Sequence, residues 1–344
     1  MVNRTLPDTS LSRRLTSDLT TLGDILQQGN YLTQMEQWQG KALFLKVDET
    51  QNPAEFRYYA HHAIYGDRNQ NGMVDPGDEG FFPPASTVKV AIAALVLEKL
   101  NRLDIQRDAE YRIVGKREWY SIAEDLRKML VISDNESTNR LILWLGFEQL
   151  NRSLQAKNLR QLTITRLMLD RGTLVDSPPF EIRDNQTLIR QDAQPVVTQF
   201  SCWERDKQPG NCASASDILE VLVRLVQPEY FSPEERFRLT ESDRQWLREV
   251  MSHTPKEEGF NYADNYCRFL SQVERKYAHQ SGRMLSKCGV ALFSNTYIDS
   301  SFLQTDSGEK YYLLFAVTPP ESAAEADVLH WMNQVTEFIL PRLF

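Results

Sequence analysis

The chain of 344 residues is poor in histidine, with five, and in cysteine, with four. The histidines are scattered or paired as His61-His62, and no cysteines have the short spacing of a zinc site. No apolar run reaches the roughly 20 residues of a membrane span. Residues 1–35 are polar and charged and hold no secretory leader, so either the protein is cytosolic or the chain starts after a cleaved one. No block of Lys and Arg offers the basic face of a nucleic-acid binder, and the formal net charge is −8. No internal repeat is present.

What is there is an ordinary globular balance, 41% hydrophobic and 25% charged, with enough apolar residues for a large core. The length suits two domains or one domain with insertions. Cys202 and Cys212 bracket a polar Pro-Gly loop. They are either a local disulfide, in an oxidising compartment, or two free thiols.

Leucines at 11, 15, 19, 22 and 26 predict a helix over 10–29. Residues 41–64 read as two strands around an Asn-Pro turn. Residues 86–100, STVKVAIAALVLEKL, are apolar almost all round and predict a buried helix. Further helices are expected at 121–132, 137–145, 147–158, 215–226, 233–252 and 322–343, and strands at 285–301 and 310–318. Residues 170–213, with four prolines, read as long and irregular. The two ends of the chain are expected to share one sheet. That gives an N-terminal helix or extension over 1–35 and an α/β lobe from 36–100 and 280–344. An all-α lobe over 101–279 carries insertions at 185–213 and 253–282. The cleft between the lobes is the natural place for a site.

Three short stretches carry chemistry. In Ser86-Thr87-Val88-Lys89, the lysine lies one turn after the serine on a buried helix. A serine hydroxyl needs a neighbouring base to act as a nucleophile. An amine inside an apolar helix is pushed toward its neutral, basic form. The alternative is an N-capping serine followed by a snorkelling lysine. In Ser133-Asp134-Asn135, Ser133 could pass on a proton and Asn135 hold a substrate amide; the alternative is a helix N-cap. In Lys287-Cys288-Gly289, the lysine could meet a substrate carboxylate and the glycine admit substrate to the backbone; the alternative is a strand edge with a solvated lysine.

In this order, STVK, SDN and KCG resemble the Ser-x-x-Lys, Ser-Asp-Asn and Lys-Thr/Ser-Gly set of class A β-lactamases and penicillin-binding proteins. FFPPASTVKV is similar to the family's approach to its nucleophile, and SDNESTN repeats SDN-x-x-x-N, adding Asn139. TRLMLDRG and EIRDN resemble the two ends of its Ω-loop, with Arg171 and Asp184 as a clasp. The resemblance covers about residues 40–344 with gaps. It implies an α/β (α+β) fold of the β-lactamase/transpeptidase type, an antiparallel sheet flanked by helices from both termini plus an all-α lobe.

For function it implies a serine hydrolase that forms an acyl-enzyme through Ser86 with β-lactams or related cell-wall amides. Lys89 would accept the proton, Ser133 would pass it to the leaving nitrogen, and Lys287 would recognise a carboxylate. Asn135, Cys288, Gly289 and Val290 would line the substrate site, with the backbone N–H groups of Ser86 and Val290 as oxyanion hole. No cofactor is required, the substrate is a small molecule or cell-wall peptide, and the family's location is extracytoplasmic or periplasmic. The family's Glu-x-x-Leu-Asn glutamate, which activates the deacylating water, is missing; its position falls near Thr173, and Glu181 falls at the far end of the loop. A protein that is acylated without turnover, as a penicillin-binding sensor, and a D-alanyl-D-alanine carboxypeptidase-like enzyme are the alternatives. Cys288 replaces the usual hydroxyl residue and, as an accessible thiol, would be open to oxidation.

Residues 67–78, DRNQNGMVDPGD, place Asp67, Asn69, Asn71, the Met73 carbonyl, Asp75 and Asp78 at calcium-loop positions, with Gly72 at the sharp turn. The alternative is an acidic, glycine-containing turn. A structural calcium here would raise the melting temperature.

Overall fold

Strands covered on both faces read as unbroken apolar runs, and ALFL and YYLLFAV within strands Lys41–Asp48 and Lys310–Val317 are such runs. They lie side by side at the centre of a six-stranded sheet. Its order is Thr20–Thr21, Glu55–His61, Lys41–Asp48, Lys310–Val317, Thr296–Gln304 and Leu285–Ala291. All neighbours are antiparallel except the short first strand. The computed structural model describes residues 20–50, 54–63, 81–170, 175–196, 210–279, 284–292 and 294–343.

Alternation along the strands assigns each face. Ala42, Phe44, Tyr311, Leu313, Phe315 and Val317 pack with Val328, Trp331, Met332, Val335 and Ile339 of the C-terminal helix Glu325–Ile339. Leu43, Leu45, Tyr312, Leu314 and Ala316 join the larger core. There they meet the helices Lys89–Leu103 and Ala215–Val226. Helix Lys89–Leu103 is buried along nearly its whole length, as its all-round apolar sequence requires.

Of the helix expected over 10–29, the described part forms strand Thr20–Thr21 and the short helix Gly23–Gln28. The middle of the chain carries strands as well as helices. Tyr120–Ser121, Glu110–Ile113, Phe180–Asp184 and Thr187–Gln191 form a four-stranded sheet. The segment expected to be irregular over 170–213 therefore holds a hairpin, Phe180–Asp184 with Thr187–Gln191, turning at Asn185. Asn185 has φ +51°, a conformation asparagine tolerates well. EIRD is thus a strand, not the end of a loop. Asp184 accepts a hydrogen bond from the Gln106 amide at 3.2 Å, and Glu181 pairs with Arg112 at 2.7 Å and Arg190 at 3.2 Å. A third sheet joins Phe81–Phe82, just before Ser86, to Asn211–Ser214 and Thr163–Ile164. It ties the approach to Ser86 to the middle of the chain.

Under the main sheet, helix Ala215–Val226 buries Asp217, Glu220 and Arg224 completely or nearly so. Arg224 pairs with Glu220 at 2.5 Å. Burial and the Glu220 charge push the Asp217 carboxyl up to about 8, although the Gln161 amide donates to it. The folded protein therefore keeps a proton that the unfolded chain loses near pH 4, and stability falls as pH rises from about 4 to about 8. Asp217→Asn is expected to flatten that slope, so its melting temperature exceeds the parent's at pH 8 and approaches it at about pH 4. Parallel slopes in calorimetric melts across this window would reject the assignment.

Candidate active site

Ser86 sits in a 3-10 turn, Ala85–Val88, that runs into helix Lys89–Leu103. Ala85 has φ +46°. A residue with a Cβ pays strain for this conformation, and such strain gathers at functional sites. Neither the turn nor the helix has a side-chain cap, and Lys89 is 0% exposed. The capping-serine and snorkelling-lysine alternative is therefore not what the fold uses. The Lys89 Nζ instead turns inward to the Ser133 carbonyl at 2.6 Å, the Ser133 hydroxyl at 3.2 Å and Asn135 Oδ1 at 2.8 Å.

Ser133-Asp134-Asn135 joins two helices, Ile122–Val131 and Asn135–Leu145. Ser133 has φ +56°. Asp134 is the N-cap of the second helix and accepts from the Ser137 amide at 2.7 Å. The cap and the site thus share one tripeptide: Asp134 holds the helix end while Ser133 and Asn135 meet Lys89. The two helices are locked by buried Asp125, which receives Arg140 at 2.6 and 2.9 Å, Ser137 at 2.8 Å and Tyr111 at 2.7 Å. Two-pronged Arg–carboxylate pairing of this kind fixes geometry as well as adding energy.

Strand Leu285–Ala291 forms the opposite wall. Gly289 lies so close to the turn that an added Cβ would come within 3.0 Å of the Ser86 backbone nitrogen and 3.1 Å of the Ala85 Cβ. Here glycine is needed for close approach, and Val290 follows it on the strand. Lys287 is 0% exposed, so it is not a solvated edge residue. Its ammonium donates to the Ser133 hydroxyl at 3.0 Å and the Cys288 carbonyl at 3.0 Å, and lies 3.2 Å from Cys267 Sγ. STVK, SDN and KCG, far apart in sequence, thus meet around one hydroxyl.

The electrostatics follow from burial. Desolvation, helped by the positive charge of Lys287, holds the Lys89 amine well below the usual lysine range, with Asp134 opposing. Desolvation also pushes Lys287 down to about 7, opposed by Asp299. Asp299, fully buried and accepting from Ser286 and Ser301, is itself raised by burial to about 6. Two ammonium groups on one hydroxyl repel each other, and Asp299 favours the charge on Lys287. The arrangement therefore favours a neutral Lys89 beside a cationic Lys287.

One expectation needs correction. Cys288 is not a free thiol: it forms a disulfide with Cys267, whose left-handed backbone (φ +56°) ends a turn in the 253–282 segment. It therefore offers neither a hydroxyl-like donor nor an oxidisable thiol. The bond spans a sequence separation of 21, enough to constrain the unfolded chain by about 3 kcal/mol. Cysteine spacing gave no sign of it, because the partner reaches Cys288 through a fold-back of the chain. The position near Thr173 expected for the deacylating base lies outside the described residues, but the chain just before it is held in place. Asn139 grips the backbone of Met168, accepting from its amide at 2.7 Å and donating to its carbonyl at 3.3 Å. Asn139 is one helical turn beyond Asn135, which accepts from Lys89, and the residue it grips is an apolar one. Asn139 was legible in SDNESTN; the register that puts Met168 opposite it was not.

Several sequence expectations lie outside the described residues: Thr173, Arg171, and the calcium-loop residues Asp67, Asn69, Asn71, Met73, Asp75 and Asp78. Cys212 is disulfide-bonded, and Cys202, its partner in one of the two sequence readings, is also outside them. Among the described residues no helix is long and apolar enough to cross a membrane.

Solved structures with this arrangement of helices and sheet share little sequence with the chain. The chromosome-encoded beta-lactamase of Vibrio parahaemolyticus aligns with TM-score 0.58 at 13% identity, over 92% of this chain and 98% of that one. An ancestral (GNCA) class A beta-lactamase aligns with TM-score 0.57 at 15% identity, over 93% and 100%. A mutant of PBP-A, solved as an acyl-enzyme complex with penicillin G, aligns with TM-score 0.54 at 15% identity, over 95% and 98%. These likenesses establish the fold, a β-lactamase/transpeptidase-like α/β architecture. No curated protein matches the chain by sequence. The sequence profile of the Beta-lactamase enzyme family does match, over residues 45–337. That span runs from the central strand through the Ser86, Ser133 and Lys287 segments into the last helix, and it places the chain in the beta-lactamase enzyme family.

Proposed function

We propose that the protein is a serine acyl-transfer enzyme whose Ser86 is acylated by β-lactams or related cell-wall amides, and that it releases the acyl group slowly. The observation that carries this is the Ser133 hydroxyl, set between the Lys89 amine at 3.2 Å and the Lys287 ammonium at 3.0 Å, with Gly289 against the Ser86 backbone. In this reading the Ser86 oxygen attacks the amide carbonyl and its proton passes to neutral Lys89. The carbonyl oxygen takes up negative charge facing the backbone N–H groups of Ser86 and Val290. Lys89 returns the proton through Ser133 to the amide nitrogen as the C–N bond breaks. Cationic Lys287 orients a substrate carboxylate, without help from a hydroxyl at position 288.

Slow release is supported by Met168. An apolar side chain in the loop gripped by Asn139 cannot take a proton from a deacylating water. This favours an acylated, penicillin-binding protein over an efficient β-lactamase; that the fold can carry such an adduct is seen in the mutant of PBP-A solved as an acyl-enzyme complex with penicillin G. The disulfides at Cys267–Cys288 and Cys212 support an oxidising, extracytoplasmic location.

A fluorescent penicillin labelling assay with an unlabelled chase tests the proposal. The full chain is expected to label, to hold the label through the chase, and to lose labelling in Ser86→Ala. Label that washes out within seconds would instead indicate a hydrolase, and label retained by Ser86→Ala would refute Ser86 as the nucleophile.

A further inference from the structure

Two of the five histidines of the chain are consecutive, and they face one carboxylate. His61 ends strand Glu55–His61, and Glu36 lies on the short helix Leu32–Gln37. Neighbours on a strand point to opposite faces, yet the two imidazole rings sit with centroids 4.3 Å apart. The cause is the backbone: His62 leaves the strand with φ +46°, which swings its ring back beside that of His61. Both Nε2 atoms then approach the same oxygen, Glu36 Oε1, at 3.4 Å from His61 and 3.1 Å from His62. Among the described residues this is the one place where three donor atoms of His, Cys, Asp or Glu gather within 4.8 Å of one another.

We propose that Glu36, His61 and His62 form a binding site for a borderline divalent cation of the zinc class, built from residues that take no part in the Ser86 cluster. The donor set is two imidazole nitrogens and a carboxylate oxygen, which suits Zn2+ and related metals rather than Mg2+ or Ca2+. The spacing fits as well. Four ligands at about 2.0–2.1 Å in a tetrahedron are about 3.3–3.4 Å apart, close to the two separations the side chains already have. Binding would thus leave these two separations nearly as they are. His61 is buried to 7% exposure and held by its strand, whereas His62 and Glu36 are open to solvent, so an ion can enter from outside. Three protein ligands leave the fourth position for water. The ion would pin helix Leu32–Gln37 to the end of strand Glu55–His61. The short-spacing patterns that mark zinc sites in sequence do not reveal it, because the third ligand comes from a different element.

The test uses the full chain, stripped with a chelator and dialysed, with Zn2+ followed by calorimetry and Co2+ by visible absorption. The parent is expected to bind one equivalent of Zn2+ in the micromolar range or tighter. Co2+ should give the intense bands of a tetrahedral site, and neither Mg2+ nor Ca2+ should compete. Glu36→Gln and His62→Ala, both exposed and so expected to fold, should each weaken binding roughly tenfold or more. His330→Ala, at an exposed histidine elsewhere, should leave binding unchanged. No binding at micromolar Zn2+, or equal binding in the parent and both ligand variants, would overturn the proposal. Penicillin labelling of Ser86 does not enter either outcome.

Discussion

Replacing Lys89 by methionine is expected to slow acylation of Ser86 by about 10²- to 10⁴-fold, the range a positioned general base supplies. Methionine fills a similar volume, so the apolar surroundings of a fully buried position stay packed. What is lost is the amine that meets the Ser133 carbonyl, the Ser133 hydroxyl and Asn135. The measurement is the second-order rate of labelling with a reactive penicillin, beside a melting curve to show that the variant is folded. A pH profile of the parent adds an independent reading. By the proposed route, acylation needs Lys89 neutral and, for an anionic substrate, Lys287 charged. Lys89 is held well below the usual lysine range and Lys287 is at about 7. The rate should therefore rise with pH on the acid side as Lys89 loses its proton, then fall through about pH 7 as Lys287 loses its own. With a neutral ester the alkaline fall should disappear. A Lys89→Met variant that acylates at the parent rate would show that the amine is not the base.

Met168→Glu is expected to convert a lasting adduct into turnover, raising the release rate by about 10²-fold or more. Asn139 fixes the Met168 backbone by two hydrogen bonds, one helical turn beyond the residue that contacts Lys89. Met168 is 8% exposed in an apolar setting, so a carboxylate there would have its pKa raised, toward the value a base needs near neutral pH. The chase phase of the labelling assay reads the effect directly. Unchanged release from a folded Met168→Glu variant would mean that the missing base is not what makes the adduct last.

The features legible in the sequence are those set by local chemistry. The buried helix after Ser86 was readable because its apolar residues run all round it, and Lys89 stood out as the charge inside that run. The central strands were readable from their unbroken apolar stretches. The three triplets were readable because each is short and contiguous. What was hidden depends on contacts between distant segments. The Cys267–Cys288 bond joins a loop to a strand, and the opposition of Asn139 and Met168 depends on how one loop is threaded past a helix. The hairpin at Asn185 was within reach, since FEIRD alternates up to an asparagine turn, but the prolines flanking it suggested irregular chain. Asp299 was hidden for a different reason. A carboxylate in the middle of a strand looks like a solvent-facing residue until the sheet is covered on both faces.

If the amines of Lys89 and Lys287, which converge on Ser133, activate Ser86 as proposed, a reactive β-lactam acylates that residue. Intact-mass analysis after incubation with a reactive β-lactam, followed by peptide mapping, tests this most directly. The account predicts a gain of one whole β-lactam mass, since ring opening loses no atoms, located on the peptide that carries Ser86. No adduct, or an adduct mapped to any other residue, would contradict it.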